Sequence, residues 1–318
     1  MDSDAKLLEL PKVAILLATY NGAQWLGEQI DSINAQRGVS LRVIASDDAS
    51  ADSTPQILSA ISALDKRWSV MPTQKNSGSS NANFMRLISE ADIGDAQYIA
   101  FSDQDDIWFP HKIERAVEVL QSSSAHGYTS NVIALYDDGR QKLLNKAYPQ
   151  RQYDHFFESP GPGCTMVLTR SLFEKFRFFA IENSKACSAF SHHDWLIYAF
   201  TRSQGMTWEI DAQPSMLYRQ HTGNVVGVNF GVAAFLSRIK MVRSGWYKNQ
   251  ILCLCTLLQK TCFEQRLAID INSWLNNRPN LFGRARFIAQ VATNARRLPR
   301  DRVMLLLMAA TGILWGVG

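Results

Sequence analysis

The chain has 318 residues and a mass of 35.8 kDa, enough for one large domain or two modest ones. Hydrophobic residues make up 46% and charged residues 19%, which excludes a disordered chain. The net charge of +4 is too small to suggest a nucleic-acid binder, but it is unevenly spread. Residues 234–302 carry 13 Lys+Arg against 3 Asp+Glu, leaving 20 against 26 elsewhere, so an acidic body is followed by a basic section suited to an anionic partner.

Lys12–Tyr20 (KVAILLATY) is a continuous apolar run that stops at Asn21-Gly22, the pattern of a strand buried on both faces. Residues 24–36 place Trp25, Leu26, Ile30 and Ile33 at helical spacing. Leu41–Ala45 is a second strand and ends at Ser46-Asp47-Asp48. Residues 54–64 form an amphipathic helix with Ser53 or Thr54 as N-cap and Pro55 in its first turn. Trp68–Met71 reads as a short strand, Gly78–Ser89 as a helix, Gln97–Phe101 as a strand and Pro110–Gln121 as a helix. An apolar strand, TMVL, follows Gly161-Pro162-Gly163-Cys164, and Trp195–Phe200 is an apolar helix. This alternation predicts an α/β fold with a mainly parallel sheet flanked by helices.

Near residue 231 the character changes. Phe235, Ile239, Val242 and Trp246 recur at helical spacing between Arg238, Lys240, Arg243 and Lys248. Phe287, Val291 and Leu298 interleave in the same way with Arg284, Arg286, Arg296 and Arg297, and Val303–Gly318 is apolar without a charge. Sixteen helical residues rise roughly 24 Å, short of a bilayer core. The expected organisation is a catalytic unit over 1–230 and a helical, basic and apolar section over 231–318 that lies on a membrane surface. The alternative is a helical subdomain with a solvated basic face. Five cysteines without a C-x-x-C pair, and an acidic start (MDSDAKLLEL) unlike a signal peptide, predict reduced thiols and a cytoplasmic location at the inner face of the membrane.

Strand one is followed by neither G-x-G-x-x-G nor a P-loop. Instead, three strand ends are polar, at Thr19-Tyr20-Asn21, Ser46-Asp47-Asp48 and Asp103-Gln104-Asp105-Asp106. Ligands of open α/β sheets bind outside the carboxyl ends of the strands. Acids clustered there repel one another, and a hard divalent cation with a substrate phosphate relieves them. Helix capping is the other use of such acids.

The segments VAILLATYNG, VIASDDASADST, KNSGSSNANF, FSDQDDIWFPHKI, HHDW and YRQHTGNVVG occur in this order over residues 12–227. In these segments the chain resembles glycosyltransferase family 2, the inverting nucleotide-sugar enzymes of GT-A fold. SDQDDIWFPHKI, HHDW and YRQHTGNVVG resemble the rhamnosyltransferase branch, whose donor is dTDP-L-rhamnose.

The resemblance implies that Thr19, Tyr20 and Asn21 line the nucleotide pocket and that Asp48 takes the imide N–H of the pyrimidine. Asn76, Gly78 and Asn83 would close over the donor. Asp103-Gln104-Asp105 matches the D-x-D motif, with Gln104 where the family often keeps a small residue. Asp105 would ligate Mg²⁺ or Mn²⁺, Asp103 would contact ribose or the metal, and Asp106 would contact the sugar. Asp194 of HHDW falls at the catalytic base, with helix capping as its other role, and Trp195 would wall the acceptor pocket. Arg219 would reach the diphosphate, and His221 the diphosphate or metal. The implied partners are the donor, a polyprenyl-diphosphate-linked saccharide acceptor of surface polysaccharide synthesis, and an anionic membrane, with no nucleic acid. A UDP-sugar donor and a non-catalytic, membrane-tethered glycan-binding protein stay open as alternatives.

Overall fold

A computed structural model describes residues 9–221, 243–259, 265–276, 281–296, 302–303 and 306–307. The elements run β1 Lys12–Thr19, α1 Ala23–Asn34, β2 Ser40–Asp47, α2 Thr54–Leu64, β3 Trp68–Val70, α3 Ser80–Glu90 and β4 Tyr98–Ser102. They continue with β5 Ile107–Trp108, α4 Lys112–Ser123, β6 Gly127–Ser130, β7 Val132–Tyr136 and β8 Gln141–Leu144. After β9 Val167–Thr169 come α5 Arg170–Glu182, α6 Ser184–Ala189, α7 His193–Ser203, β10 Trp208–Asp211 and β11 Met216–Gln220. Three further helices are α8 Trp246–Leu258, α9 Gln265–Asn276 and α10 Leu281–Asn294.

The main sheet has seven strands in the order β10-β6-β9-β4-β1-β2-β3. All pairs are parallel except those of β9, which runs against β4 and β6. Val13 to Leu17 are 0–1% exposed, as a strand covered by helices on both faces requires. A second sheet, β5-β11-β7-β8, escapes simple pattern reading because its strands are two to five residues long and its partners are distant in the chain. It pairs Leu217 with Ile107, which carries the end of β11 to the turn that follows β4.

The helices after residue 243 share one apolar core with α3, α5 and α7. Phe287 and Val291 are fully buried, and Phe287 meets Phe157 edge-on at 6.1 Å. Arg296 is only 4% exposed and ion-pairs with Asp154, which also meets Arg202. Phe287, Val291 and Ala295 therefore pack on protein, and Arg296 is committed to ion pairs inside the chain. Phe287 and Val291 thus find their apolar burial within the chain itself, while Phe282 stays exposed. Phe235, Arg238, Ile239, Lys240, Val242, Arg297, Leu298 and most of 303–318 lie outside the described residues. Among the described residues, no helix is long and apolar enough to cross a membrane.

Candidate active site

Parallel pairing sets the site. Thr19 lies beside Asp47 across β1 and β2, and Leu17 lies beside Ser102 across β1 and β4. The loops that leave these three strands emerge together at the carboxyl edge of the sheet.

The first two loops are tightly stapled. Asn21 and Ala49 both adopt left-handed backbone, with φ of 48° and 58°. For Ala49 that conformation is strained, and it persists because neighbouring bonds fix it. Asp47 accepts from the Thr19 hydroxyl at 2.9 Å, the Ser50 hydroxyl at 2.6 Å and the Ser50 amide at 2.9 Å. The Asn21 amide donates to Ser50 Oγ, and the Ala51 amide donates to Asn21 Oδ1, both at 2.8 Å. Asp48 accepts from the Ser77 amide at 2.7 Å and the Ser77 hydroxyl at 2.9 Å. Asn76 donates to the Asp48 carbonyl at 3.1 Å and accepts from the Gly78 amide, and Gly78 has a φ of 85° that favours glycine. Asp48, Asn76 and Gly78 are thus brought together at one place.

Thr19 and Asn83 are 2% exposed and committed inside the fold. Asn83 donates to the Ser46 carbonyl at 2.9 Å and accepts from the Ser46 hydroxyl at 2.6 Å. Both brace the pocket from behind, which corrects their placement as direct donor contacts. Tyr20, 50% exposed, reaches outward from this loop.

The turn after β4 carries the acids. Asp105 Oδ2 lies 2.8 Å from His221 Nε2, and the His221 ring stacks on Trp25 at 4.0 Å and 18°. Arg219 Nε donates to the Asp105 carbonyl at 3.0 Å, and its Nη2 ion-pairs with Glu28 at 2.8 Å. Burial, then the charges of Asp105 and Asp194, push the Asp103 carboxyl up to about 7. A carboxyl that keeps its proton near neutrality because acids crowd it is a place where a cation is welcome. Oxygens of Asp103 and Asp105 with one imidazole are donors that suit Mg²⁺ or Mn²⁺. Ligand atoms of Asp103, Asp106 and Cys164 also lie within 4.8 Å of one another.

Asp106 departs from expectation. It is fully buried, accepts from the Arg219 amide at 3.3 Å and lies under the turn. Its carboxylate is enclosed, where the resemblance implied contact with the donor sugar. Beneath it Lys112, 1% exposed, sits 3.7 Å over the Trp108 ring, and burial lowers its ammonium to about 7. Neither Lys112 nor Gln104 was marked as functional by the motif pattern.

Asp194 sits in the first turn of α7, where its Oδ1 accepts from the Trp195 amide at 2.7 Å. Its carboxylate raises the proton affinity of Asp103. Gly163 allows the close approach. A methyl group there would lie 3.5 Å from Asp194 Cβ and strike the His193 ring. Trp195, by contrast, is 3% exposed and donates its indole N–H to the His155 carbonyl at 2.8 Å. It stacks near Tyr247 at 6.0 Å, so it is core and does not wall the acceptor pocket.

A family model described as Glycosyl transferase family 2 matches residues 14–189. The chain is 38% identical, over 93% of its length and 100% of the relative's, to the dTDP-rhamnosyl transferase RfbG of Shigella flexneri. Its fold is similar to that of S. aureus TarS in complex with UDP-GlcNAc, with a TM-score of 0.59 at 13% identity, covering 95% of this chain and 88% of that one. It also resembles the mannosyltransferase PcManGT of Pyrobaculum calidifontis in complex with GDP-Man and Mn²⁺, with a TM-score of 0.50 at 15% identity, covering 97% and 88%. The GT-A fold expected from the motifs is therefore the one adopted.

Proposed function

The chain belongs to glycosyl transferase family 2 and is a glycosyltransferase, and from that premise we propose that it moves L-rhamnose from dTDP-L-rhamnose onto a growing surface polysaccharide. The observation that carries the donor assignment is full-length similarity to a protein described as a dTDP-rhamnosyl transferase.

Mechanistically, Asp48 accepts the imide N–H of the base while Tyr20 covers the nucleoside. Asp103, Asp105 and His221 would hold the metal. Bound there, Mg²⁺ or Mn²⁺ would neutralise the diphosphate and favour its departure. Arg219 adds its guanidinium at the same turn. Asp194 takes the proton of the acceptor hydroxyl as that oxygen attacks the anomeric carbon, and the dTDP oxygen leaves from the opposite face. One displacement inverts the anomeric centre.

The acceptor in this reading is a polyprenyl-diphosphate-linked saccharide, reached by peripheral attachment to an anionic membrane. Exposed Phe282, with the Arg286 guanidinium 4.2 Å over its ring, together with exposed Val303 and Leu307, supports that attachment.

A donor panel of dTDP-, UDP- and GDP-sugars with Mg²⁺, read by released nucleoside diphosphate, tests the reading. Turnover of dTDP-L-rhamnose is expected. Turnover of a UDP-sugar alone would overturn the donor assignment.

A further inference from the structure

The middle residue of the D-x-D turn does something its neighbours do not. β1 and β4 pair as far as Leu17 and Ser102, and regular pairing ends there. Gln104 extends the contact with its side chain. Its Oε1 accepts from the Tyr20 amide at 2.8 Å, and its Nε2 donates to the Tyr20 carbonyl at 2.9 Å. A primary amide thus stands in for a peptide group, gripping both polar backbone groups of one residue in the neighbouring loop.

Gly22 makes room for this grip. Its backbone, at φ −104°, suits any residue, yet a methyl group there would overlap the Gln104 amide. Glycine at this position is therefore required by Gln104 and not by local conformation.

The connection runs on in both directions. Gln104 is flanked by Asp103 and Asp105, the metal-holding acids. Beyond Tyr20, the Asn21 amide is tied to Ser50 Oγ, which is tied to Asp47, the neighbour of the base-binding Asp48. Hydrogen bonds and the short backbone pieces between them join the Asp103–Asp105 turn to Asp48.

We propose that Gln104 is a positioning residue that couples these ends, so that a cation on the Asp103–Asp105 turn tightens the grip on the nucleoside. The inference rests on the reading of the site as one for a nucleotide sugar. It extends that reading to cooperation between two subsites that share no ligand atom.

Thymidine tests this directly, because it has no phosphate to touch the cation. Its affinity is measured by ligand-observed NMR with and without Mg²⁺, beside uridine as the second nucleoside. In the parent chain, Mg²⁺ should tighten thymidine about fivefold. Gln104→Ala should bring that factor close to one while thymidine alone binds nearly as before. Gly22→Ala should do the same by displacing the Gln104 amide. The double variant should show no additional loss, since both changes remove one contact.

A purely structural role for Gln104 would lower the melting temperature and leave the coupling factor intact, and that result overturns the proposal. So does a parent chain whose nucleoside affinity ignores Mg²⁺, or a Gly22→Ala effect that persists undiminished in the Gln104→Ala background. Binding of uridine without thymidine overturns the dTDP reading alone, and the coupling is then read with uridine. Binding of neither nucleoside overturns both.

Discussion

His221 Nε2 lies 2.8 Å from Asp105 Oδ2, and the imidazole that makes this contact is stacked on Trp25. The two residues are far apart in sequence, and the small sheet joins them by pairing β11 with β5. The stacked ring fixes the direction of Nε2 and so holds the Asp105 carboxylate in place.

A metal held there should be needed for turnover. EDTA should abolish release of dTDP, and Mn²⁺ or Mg²⁺ should restore it. Asp105→Ala should be inactive at any practical metal concentration. His221→Ala should need about 10-fold more metal for half-maximal rate, since it removes one metal-holding group that also orients Asp105. Chelator-resistant activity would refute the assignment.

Asp194→Asn preserves size and the bond from the Trp195 amide but cannot accept a proton. Its kcat should fall by about 10²–10⁴-fold while dTDP binding by calorimetry stays close to that of the parent. The product of the parent enzyme should show inverted anomeric configuration by NMR. Near-parental kcat would remove Asp194 from the chemistry.

The pH dependence of stability should carry a signature of His193. This ring is 8% exposed between Phe84 and Phe101, and burial lowers it from 6.5 to about 4. The unfolded chain binds a proton below about 6.5 and the folded chain does not until about 4. Stability is therefore complete above the first value and is lost as the pH falls toward the second. Between pH 7 and pH 5 the loss is about 2 kcal/mol from this residue. His193→Phe keeps an aromatic ring in place, and urea titrations should show a shallower decline over that range. An unchanged decline would mean that His193 is not held neutral.

Arg296 ties the last described helix to the catalytic body through Asp154 and Glu158. Arg296→Ala leaves buried Asp154 with Arg202 as its remaining ionic partner and should destabilise the whole chain by about 3 kcal/mol. One shared core predicts a single urea transition that shifts as a unit. A separate early transition, with the main one unmoved, would show that the two sections are independent.

Membrane attachment should be electrostatic. Flotation with anionic vesicles is expected to weaken with salt, and Arg243→Glu with Arg286→Glu should weaken it further, at about 1 kcal/mol per basic residue removed. Both sites are exposed, so the fold is left intact. Equal flotation of parent and variant would return this section to a solvated helical role.

The sequence by itself determined the class of fold and the location of the site. β1 and β4 are built on continuous apolar runs, β2 on a short one broken by Arg42, and α2 begins at Thr54 with Pro55 behind it, so local pattern and steric rule agree on each. The order of the motifs along the chain was also enough to indicate the family. Only the tertiary structure decided which face each site residue presents. Thr19 and Asn83 turn inward and Tyr20 outward, because β1 stops at Thr19 and the loop beyond it is stapled to Ser50 and Ala51. Trp195 became core because α7 is enclosed by Phe190 and Tyr247, residues that no local period connects to it. Arg296, which reads in the sequence as part of a basic surface stripe, is buried for the same reason. Its partners, Asp154 and Glu158, lie some 140 residues earlier in the chain, and long-range ion pairs leave no mark on local composition.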